Sequence, residues 1–523
     1  GGNLEGIRAA SLAYFGKETK RLTRAEAALL VALPQSPERR RLDRHPEAAR
    51  KARDRVLQRM VDQGQISEED ASRARAEPVP RWRQRMPFLA PHAADQAASG
   101  ADAGQMIRLT LDAGLQQRLE QLARERVDAL GPDVSIGILA VDNESGDVLA
   151  HVGSADYFDV RRAGQVDMVR AVRSPGSTLK PFIYGLAFED GVVHPESLIE
   201  DRPVRFGSYA PENFDMTFQG TVAVRKALQL SLNVPAVALL DRVGAARLSA
   251  RLRQAGLNLA LPKEEAPGLA MGLGGVGVSL RDLVQTYAGI PRLGSTIALR
   301  EVMRNDQGSR EALRLMDQVA AWQVGHVLLG TPPPENAAAN RIAFKTGTSY
   351  GYRDAWSVGF DGRITIGVWV GRPDGAPVPG LLGRTAAAPI LFDAFARTGS
   401  LIAPLPRPPR GTLLAANPRL PLPLRRFRPA GELVSDAGQR SIRIQFPLNG
   451  SRIDASGGEA GFDSVPVKVA GGVPPLTMLV NGIAVGEIGS RRQKLIQPPG
   501  PGFVRLTVMD ATGAADTVMV RIQ

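Results

Sequence analysis

The stretch RSPGSTLKPFIYG, from Arg173 to Gly185, places a serine and a lysine three residues apart at the head of an apolar run. A Pro-Gly pair precedes them, and such a turn before an apolar run predicts the start of a helix. Ser177 and Lys180 would then lie on the same face of that helix. Taken alone, the pair fits either a helix cap beside a solvated lysine or a nucleophile beside its base.

The catalytic interpretation of this stretch has a physical basis. Backbone N–H groups in the first turn of a helix have no partner within the helix. They can therefore stabilise an anion, such as the oxyanion of an acyl-transfer reaction. Ser177 would sit among these donors.

A second motif, SLN at Ser231–Asn233, lies further along the chain in TVAVRKALQLSLNVPAVALLDRVG. This segment predicts a helix, a short break and a second helix, with Pro235 in the first turn of the second one. The motif falls in the break. By itself it also fits ordinary helix punctuation, because serine and asparagine are common there.

The third motif, KTGTS, closes a predicted strand. Gly347 leaves room for another backbone to approach closely. Lys345 offers a fixed positive charge, Thr346 and Thr348 offer hydroxyl groups, and the Thr348 N–H is a candidate second oxyanion donor. Alone, the motif is also compatible with a simple strand end.

The order S-x-x-K, S-x-N, K-T-G follows the signature set of serine β-lactamases and penicillin-binding proteins. Composition supports a role for the two lysines, because the chain has nine lysines against 56 arginines and both motif positions are lysine. Unlike arginine, a buried lysine can lose its proton, which suits a base at Lys180.

The 523-residue chain is long enough for three or four domains, and its hydrophobic content of 43% supports a large core. The net charge of +12 comes from scattered arginines, so the composition does not indicate nucleic-acid binding. The absence of cysteine excludes disulfides, thiolate catalysis and cysteine-ligated zinc. No apolar run is long enough to span a membrane, and the chain begins at Gly1 without a methionine. We therefore expect a fragment or a processed product.

The sequence divides into blocks of different composition. The first is helical, with capping boxes predicted at Thr23 and Glu26 and at Ser67 and Asp70. From about Met106 to Phe395, helices accompany antiparallel strands, three of them in RIAFKTGTS, DAWSVGFDG and RITIGVWVG, which indicates an α+β domain. A proline-rich linker then leads to short alternating stretches that predict a small β-sandwich.

Beyond the three motifs, the sequence resembles the transpeptidase domain of class A penicillin-binding proteins. The similarity is carried by RSPGSTLKPFIYGLAFEDG, YAPENFD, KALQLSLNVPAVALL, GLGGVGVSLRDLVQTYAG and KTGTSYGYRDAWSVGFDG. The first block is similar to the C-terminal end of that family's glycosyltransferase domain, and the last block resembles its penicillin-binding C-terminal domain. The family's catalytic acidic segment, near the start of the glycosyltransferase, is absent from this sequence. We therefore expect no glycan polymerisation by this chain alone.

The resemblance implies an α+β fold of the serine β-lactamase and penicillin-binding transpeptidase type, an antiparallel sheet with helices on both sides. A helical, lysozyme-like glycosyltransferase remnant is expected before it and a small all-β sandwich after it. The predicted domains are the C-terminal part of a glycosyltransferase (1–77), a linker (78–105), the transpeptidase (106–398), a proline-rich linker (399–430) and the C-terminal β-sandwich (431–523).

By motif position, the resemblance implies D,D-transpeptidation of peptidoglycan stem peptides that end in D-Ala-D-Ala. Ser177 is the expected nucleophile, and Lys180 the base that takes its proton, for which Lys180 must be neutral. Ser231 would relay a proton to the leaving D-alanine and later from the incoming amine. β-Lactams mimic D-Ala-D-Ala and are expected to acylate Ser177.

The expected substrate-binding residues follow from the same motif positions. Asn233 would hold a substrate amide, and Lys345 with the Thr346 and Thr348 hydroxyls would bind the terminal carboxylate. The Ser177 and Thr348 N–H groups would form the oxyanion hole, with Gly347 between the two threonines. No metal or organic cofactor is expected.

The expected partners are stem peptides and glycan strands, β-lactam antibiotics and, through the C-terminal domain, proteins of cell-wall synthesis. Nucleic acid is not expected. The resemblance implies a periplasmic location at the outer face of the bacterial inner membrane. It also implies a bifunctional parent protein that carries the membrane anchor absent from this chain.

Two alternatives stay open at this stage. The motifs do not distinguish an amine from water as the acceptor, so a D,D-carboxypeptidase or a β-lactam hydrolase remains, although the flanking domains argue against a β-lactamase. A non-catalytic cell-wall scaffold module is the other, and the three intact motifs argue against it.

Three other features do not indicate a different enzyme. The five histidines lie far apart without H-E-x-x-H or G-x-S-x-G, which argues against a zinc enzyme or a Ser-His-Asp hydrolase. GLGGVGVSL has no βαβ context, so a nucleotide loop is not predicted. Ser279 and Asp282 instead predict a helix cap.

Overall fold

The computed structural model describes residues 4, 6–84, 88–102, 105–206, 209–214, 216–261, 266–303, 310–335, 337–429, 442–455, 463–489 and 492–523. The chain divides into two compact units, Gly1–Leu89 and Ala90–Gln523. The predicted boundary at 430/431 lies outside the described residues. Among the helices that are described, none is both long and apolar enough to cross a membrane.

The first unit is helical, as predicted. Its helices are α1 Ile7–Phe15, α2 Arg24–Ala32, α3 Pro46–Asp62 and α4 Glu68–Ala76. The capping box of α2 is confirmed, because the Glu26 N–H donates to Thr23 Oγ1 at 3.2 Å and the Thr23 N–H donates to Glu26 Oε2 at 2.9 Å. The second box forms only in its forward half: Ser67 caps α4, but the Asp70 carboxylate lies 2.6 Å from the Arg24 guanidinium.

The second unit holds the remaining helices and all of the described strands. Its helices are α5 Pro91–Ala98, α6 Ala113–Val127, α7 Lys180–Glu189, α8 Val224–Gln229, α9 Asn233–Val243, α10 Ala245–Gln254, α11 Leu280–Ala288, α12 Gln318–Leu329, α13 Ala388–Ala396 and α14 Leu422–Arg425. Its first strands are β1 Ser135–Asp142, β2 Val148–Val152, β3 Leu198–Asp201, β4 Gly220–Ala223, β5 Ser295–Thr296, β6 Leu313–Arg314, β7 Ala343–Thr348, β8 Asp354–Phe360 and β9 Ile364–Gly371.

A five-stranded antiparallel sheet with the order β2-β1-β9-β8-β7 forms the centre of this unit. Side chains alternate between its two faces, so along β1 Leu139 and Val141 enter one apolar core while Ile138 and Ala140 enter the other. The first core includes side chains of α7, α9, α11 and α12, and the second includes those of α6 and α13. The predicted α+β fold with helices on both sides of an antiparallel sheet is confirmed.

The C-terminal part of the second unit is all-β, as predicted. Its strands are β10 Arg443–Phe446, β11 Arg452–Ile453, β12 Val465–Ala470, β13 Leu476–Val480, β14 Ile483–Ile488, β15 Gln493–Ile496, β16 Gly502–Met509 and β17 Ala515–Ile522. They form sheets with the orders β10-β12-β15 and β11-β17-β16-β13-β14. Val467 of one sheet and Met478 and Leu506 of the other are fully buried in one shared core, which makes the pair a small sandwich.

The proline-rich segment between these parts lies against the central domain over its described length. The Trp322 indole N–H donates to the Pro406 carbonyl at 3.1 Å, and a His194 ring nitrogen lies 3.0 Å from the Leu413 carbonyl oxygen. Phe427 is buried in the larger core of the central domain. The segment is therefore fixed along the domain surface by side-chain contacts that its composition does not predict.

Candidate active site

Ser177 lies in a 3₁₀ turn, Gly176–Leu179, that leads directly into α7. The predicted helix start is confirmed, and Lys180 is the first residue of α7. Ser177 is half-buried, whereas Lys180 is fully buried. The Ser177 hydroxyl makes no hydrogen bond to another described residue, which leaves it available to an incoming group.

The SLN motif lies between α8 and α9, where the sequence predicted a break. Lys180 Nζ reaches all three of its residues. It donates to the Ser231 carbonyl at 2.6 Å, to the Leu232 carbonyl at 3.1 Å and to Asn233 Oδ1 at 2.6 Å. Ser231 has a φ of 61°, a strained value for a residue with a side chain. The break between α8 and α9 therefore directs two backbone carbonyls and the Asn233 side-chain oxygen towards the Lys180 amine.

The protonation of Lys180 decides what this amine can do. A charged ammonium has three N–H donors, and the three acceptors of the SLN motif would use all of them. Burial lowers the pKa of Lys180 well below its ordinary value, and the positive charge of Lys345 lowers it further. The neutral amine keeps a lone pair, which can accept the proton of a neighbouring hydroxyl.

Lys345 also contacts Ser231. Its Nζ donates to Ser231 Oγ at 2.7 Å and to the Thr346 carbonyl at 2.7 Å. Lys180 Nζ lies 3.5 Å from the same Ser231 Oγ. The Ser231 hydroxyl is thus placed between two lysine amines, as a group that carries protons between them would need to be.

The KTGTS motif predicted a fixed positive charge at Lys345, but this lysine is buried. Only 2% of Lys345 is exposed, and burial lowers its pKa to about 7. Its charge at neutral pH is therefore conditional. A bound carboxylate would favour the charged form and raise the pKa again.

Close backbone approach joins β7 to the Ser177 turn, as predicted for Gly347. A Cβ atom on Gly347 would lie 2.4 Å from the Pro175 carbonyl oxygen. Conversely, a Cβ on Gly176 would lie 2.4 Å from the Thr348 carbonyl oxygen. The two glycines allow the Ser177 turn and the end of β7 to touch through their backbones.

β7 is an edge strand, so the side of Thr348 that points away from β8 is not paired with another strand of this sheet. The Ser349 N–H donates to the Asp354 carbonyl in the neighbouring chain segment at 2.9 Å. Since antiparallel pairing alternates, the Thr348 N–H, one residue earlier, points away from β8. The Thr348 hydroxyl accepts the Gly383 N–H at 3.0 Å and still has its own proton to donate.

The glycine-rich stretch GLGGVGVSL packs against the Ser177 turn. A Cβ on Gly274 would come within 2.6 Å of the Gly176 backbone, and Ser174 Oγ donates to the Gly274 carbonyl at 2.7 Å. Its glycines therefore serve close packing. Ser279 caps α11 through the Asp282 N–H at 3.0 Å, which confirms the predicted helix cap.

The site contains a further polar residue, Asn213, that the motifs did not predict. Asn213, in YAPENFD, accepts the Asn233 N–H through its side-chain oxygen at 2.7 Å. It lies 20 residues from Asn233, and no local spacing rule connects the two. The sequence signal for Asn213 is its place in YAPENFD, a stretch that resembles the family.

Three family models match the chain. They are Transglycosylase over residues 1–61, the penicillin binding protein transpeptidase domain over residues 136–371 and the Penicillin-Binding Protein C-terminus Family over residues 431–522. Ser177, Ser231 and Lys345 all fall within the second match. The chain belongs to the class A penicillin-binding proteins.

The relatives give the same assignment. Penicillin-binding protein 1C of Escherichia coli (strain K12) is 45% identical over 414 residues, which covers 78% of this chain and 53% of that protein. Penicillin-binding protein 1F of Bacillus subtilis (strain 168) is 29% identical over 408 residues, 71% of this chain and 56% of that protein. The chain spans about half the length of these relatives.

Solved structures share the fold. Penicillin-binding protein 1A from Haemophilus influenzae superposes with a TM-score of 0.57 at 17% identity, covering 78% of this chain and 85% of that one. The PonA1 protein from Mycobacterium tuberculosis, in complex with penicillin V, gives a TM-score of 0.53 at 20% identity, covering 62% and 94%.

Proposed function

We propose that this chain is a peptidoglycan D,D-transpeptidase that cross-links stem peptides through an acyl-enzyme at Ser177 and is acylated there by β-lactams. The observation that carries the proposal is the placement of Ser231 Oγ between the amines of Lys345 and Lys180, at 2.7 and 3.5 Å. Lys180 begins α7 directly after the turn that holds Ser177, and its pKa is lowered by burial.

In the acylation step, neutral Lys180 accepts the hydroxyl proton while Ser177 Oγ attacks the carbonyl carbon of the penultimate D-alanine. The Ser177 and Thr348 N–H groups bind the oxygen that becomes negative. The C–N bond to the last D-alanine then breaks. Ser231 gives its proton to the leaving amine and is reprotonated by Lys180, which carries the proton taken from Ser177. The products are the acyl-Ser177 ester and free D-alanine.

The terminal carboxylate of the donor peptide would be bound at β7. Lys345 supplies the charge, and the Thr346 and Thr348 hydroxyls supply hydrogen bonds. The carboxylate holds Lys345 in its protonated form, so binding and the charge of Lys345 support each other. Asn233 would hold a substrate amide with its second Nδ2 proton, since the first bonds to the Glu212 carbonyl at 2.6 Å.

In the second step, an amine of another stem peptide attacks the acyl-Ser177 ester. Ser231 accepts a proton from this amine and passes its own proton to Lys180. The new amide forms, and Lys180 returns the proton to Ser177 Oγ as it leaves. Water in place of the amine would give a carboxypeptidase. The proposal is that the amine is the productive acceptor.

We also propose that this chain is part of a longer protein with two activities. The parent protein would be bifunctional and polymerise glycan as well, at the outer face of the bacterial inner membrane. The predicted domains 1–77, 106–398 and 431–523, with linkers 78–105 and 399–430, would belong to it in that order. The C-terminal sandwich is a candidate dock for cell-wall-synthesis proteins.

Product analysis distinguishes the acceptors. With a stem pentapeptide ending in D-Ala-D-Ala and an excess of a D-amino acid, we expect release of D-alanine and formation of the exchanged peptide, detected by mass spectrometry. Ser177→Ala and pretreatment with a penicillin should each abolish both products. Release of D-alanine with only the shortened peptide would identify a carboxypeptidase. No release by the untreated parent would contradict the enzymatic proposal and favour a scaffold.

A further inference from the structure

Asp201 is a buried acidic residue close to the segment that precedes the SLN motif. Asp201 is the last residue of β3 and is fully buried. Its two carboxylate oxygens accept the Asn213 amide Nδ2 at 2.8 and 2.9 Å, and one of them accepts the Gln219 N–H at 2.8 Å. Burying a carboxylate is costly unless it is paired or hydrogen-bonded, so these bonds help to offset that cost.

Asn213 connects this acid to the SLN motif. Only 3% of Asn213 is exposed. Its Nδ2 donates to Asp201 and to the Thr217 carbonyl, while its Oδ1 accepts the Asn233 N–H at 2.7 Å. A carboxylate can only accept and a backbone N–H can only donate, so the partners fix the orientation of this amide.

Asn233 in turn holds the candidate base. Its backbone N–H is bound by Asn213, its Nδ2 donates to the Glu212 carbonyl, and its Oδ1 accepts Lys180 Nζ at 2.6 Å. A continuous series of hydrogen bonds therefore runs from Asp201 through Asn213 and Asn233 to Lys180.

Asp201 also acts on Lys180 through its charge. Burial and the charge of Lys345 lower the pKa of Lys180, and the negative charge of Asp201 raises it. The same charge contributes to the raised pKa of the buried Tyr184 hydroxyl. Asp201 thus limits how readily Lys180 becomes neutral.

We propose that Asp201 and Asn213 are positioning residues for Lys180: Asn213 holds Asn233 against the lysine amine, and Asp201 fixes Asn213 and supplies a buried negative charge. This inference deepens the proposed function and rests on it. Neither residue touches the reacting atoms, so a merely structural role is the competing explanation.

The two roles predict different pH profiles. We would measure the second-order rate constant of Ser177 acylation by a fluorescent penicillin between pH 5 and 10. For the parent, the rate should rise as Lys180 loses its proton and fall again as Lys345, whose pKa is about 7, loses its own. Because the two lysines interact, both limbs report on the pair.

Asp201→Asn removes the charge that favours the ammonium form of Lys180. The pKa of Lys180 then falls further, so the rising limb should move to lower pH. The falling limb should move less than the rising limb, because burial shifts Lys345 and Asp201 affects it through Lys180. Loss of the fixed Asn213 amide should also lower the maximal rate by roughly 10- to 100-fold.

Asn213→Ala tests the positioning of Asn233 without changing the charge of Asp201. It removes the acceptor of the Asn233 N–H but leaves Asp201 ionised. We expect a similar loss of rate with the rising limb unmoved.

Asp361→Asn is the matched control for Asp201→Asn. Asp361 is also buried, and it accepts the N–H groups of Arg363, Ile364 and Ala403 in the turn between β8 and β9. It should lower the melting temperature without moving the profile.

The outcomes separate the hypotheses. A folded Asp201→Asn protein with the rate and profile of the parent would overturn the inference while leaving acylation of Ser177 intact. If that variant does not fold, an Asn213→Ala protein with parental rates would overturn it instead. A parent that is not acylated at all would overturn the proposed function and this inference together.

Discussion

Lys180→Arg should lose almost all reactivity towards penicillin, although it keeps a positive charge at this position. The reason is that arginine cannot give up its proton inside a protein, so the variant has no lone pair to accept the proton of Ser177. Removing a general base typically costs about 10²- to 10⁴-fold. We expect a loss of that size in the rate of Ser177 acylation by a fluorescent penicillin.

The control for this variant is Lys226→Arg, the same exchange at an exposed lysine of α8. It should be acylated at the parental rate. Melting curves would establish that the Lys180→Arg protein is folded. A folded Lys180→Arg protein acylated within tenfold of the parent would mean that Lys180 serves as a fixed cation, and the assigned proton transfer would be wrong.

Gly347→Ala is expected to have the second-largest effect. The new Cβ would lie 2.4 Å from the Pro175 carbonyl oxygen and 2.7 Å from Thr178 Cγ2. The first neighbour is rigid backbone, so β7 and the Ser177 turn must separate. Displacing a reacting group by about 1 Å can cost roughly 100-fold in rate, and we expect a loss of at least that size in acylation.

Gly268→Ala provides the matched control, because a Cβ there has no neighbour within 4 Å and its φ of −112° suits any residue. It should behave as the parent in both acylation rate and melting temperature. Parental acylation by Gly347→Ala would show that close contact between β7 and the nucleophile turn is not needed for the reaction.

Much of the fold could be predicted because its signals are local. The Pro-Gly pair marks the turn before α7, the apolar runs mark α8 and α9, and the short strands around Asp361 are separated by a recognisable turn. Each of the three motifs therefore lies on its predicted element. The motifs are also what identified the candidate nucleophile and lysines.

The remaining features of the site depend on contacts between distant residues. Asp201, Asn213 and Asn233 are far apart in the sequence and meet only because β3 and α9 pack together. Burial of Lys345 is likewise a three-dimensional property, so the sequence suggested a permanent charge where the structure gives a pKa of about 7. The proline-rich segment looked like a free spacer because composition does not reveal what surface it contacts.

The most direct test of the account is the mass of the protein after incubation with benzylpenicillin, followed by peptide mapping. We predict one covalent penicillin per chain on the peptide that contains Ser177, no adduct on Ser177→Ala, and an adduct retained on Ser174→Ala. An unmodified parent protein, or an adduct that persists in Ser177→Ala, would contradict the assignment of Ser177 as the acylated nucleophile.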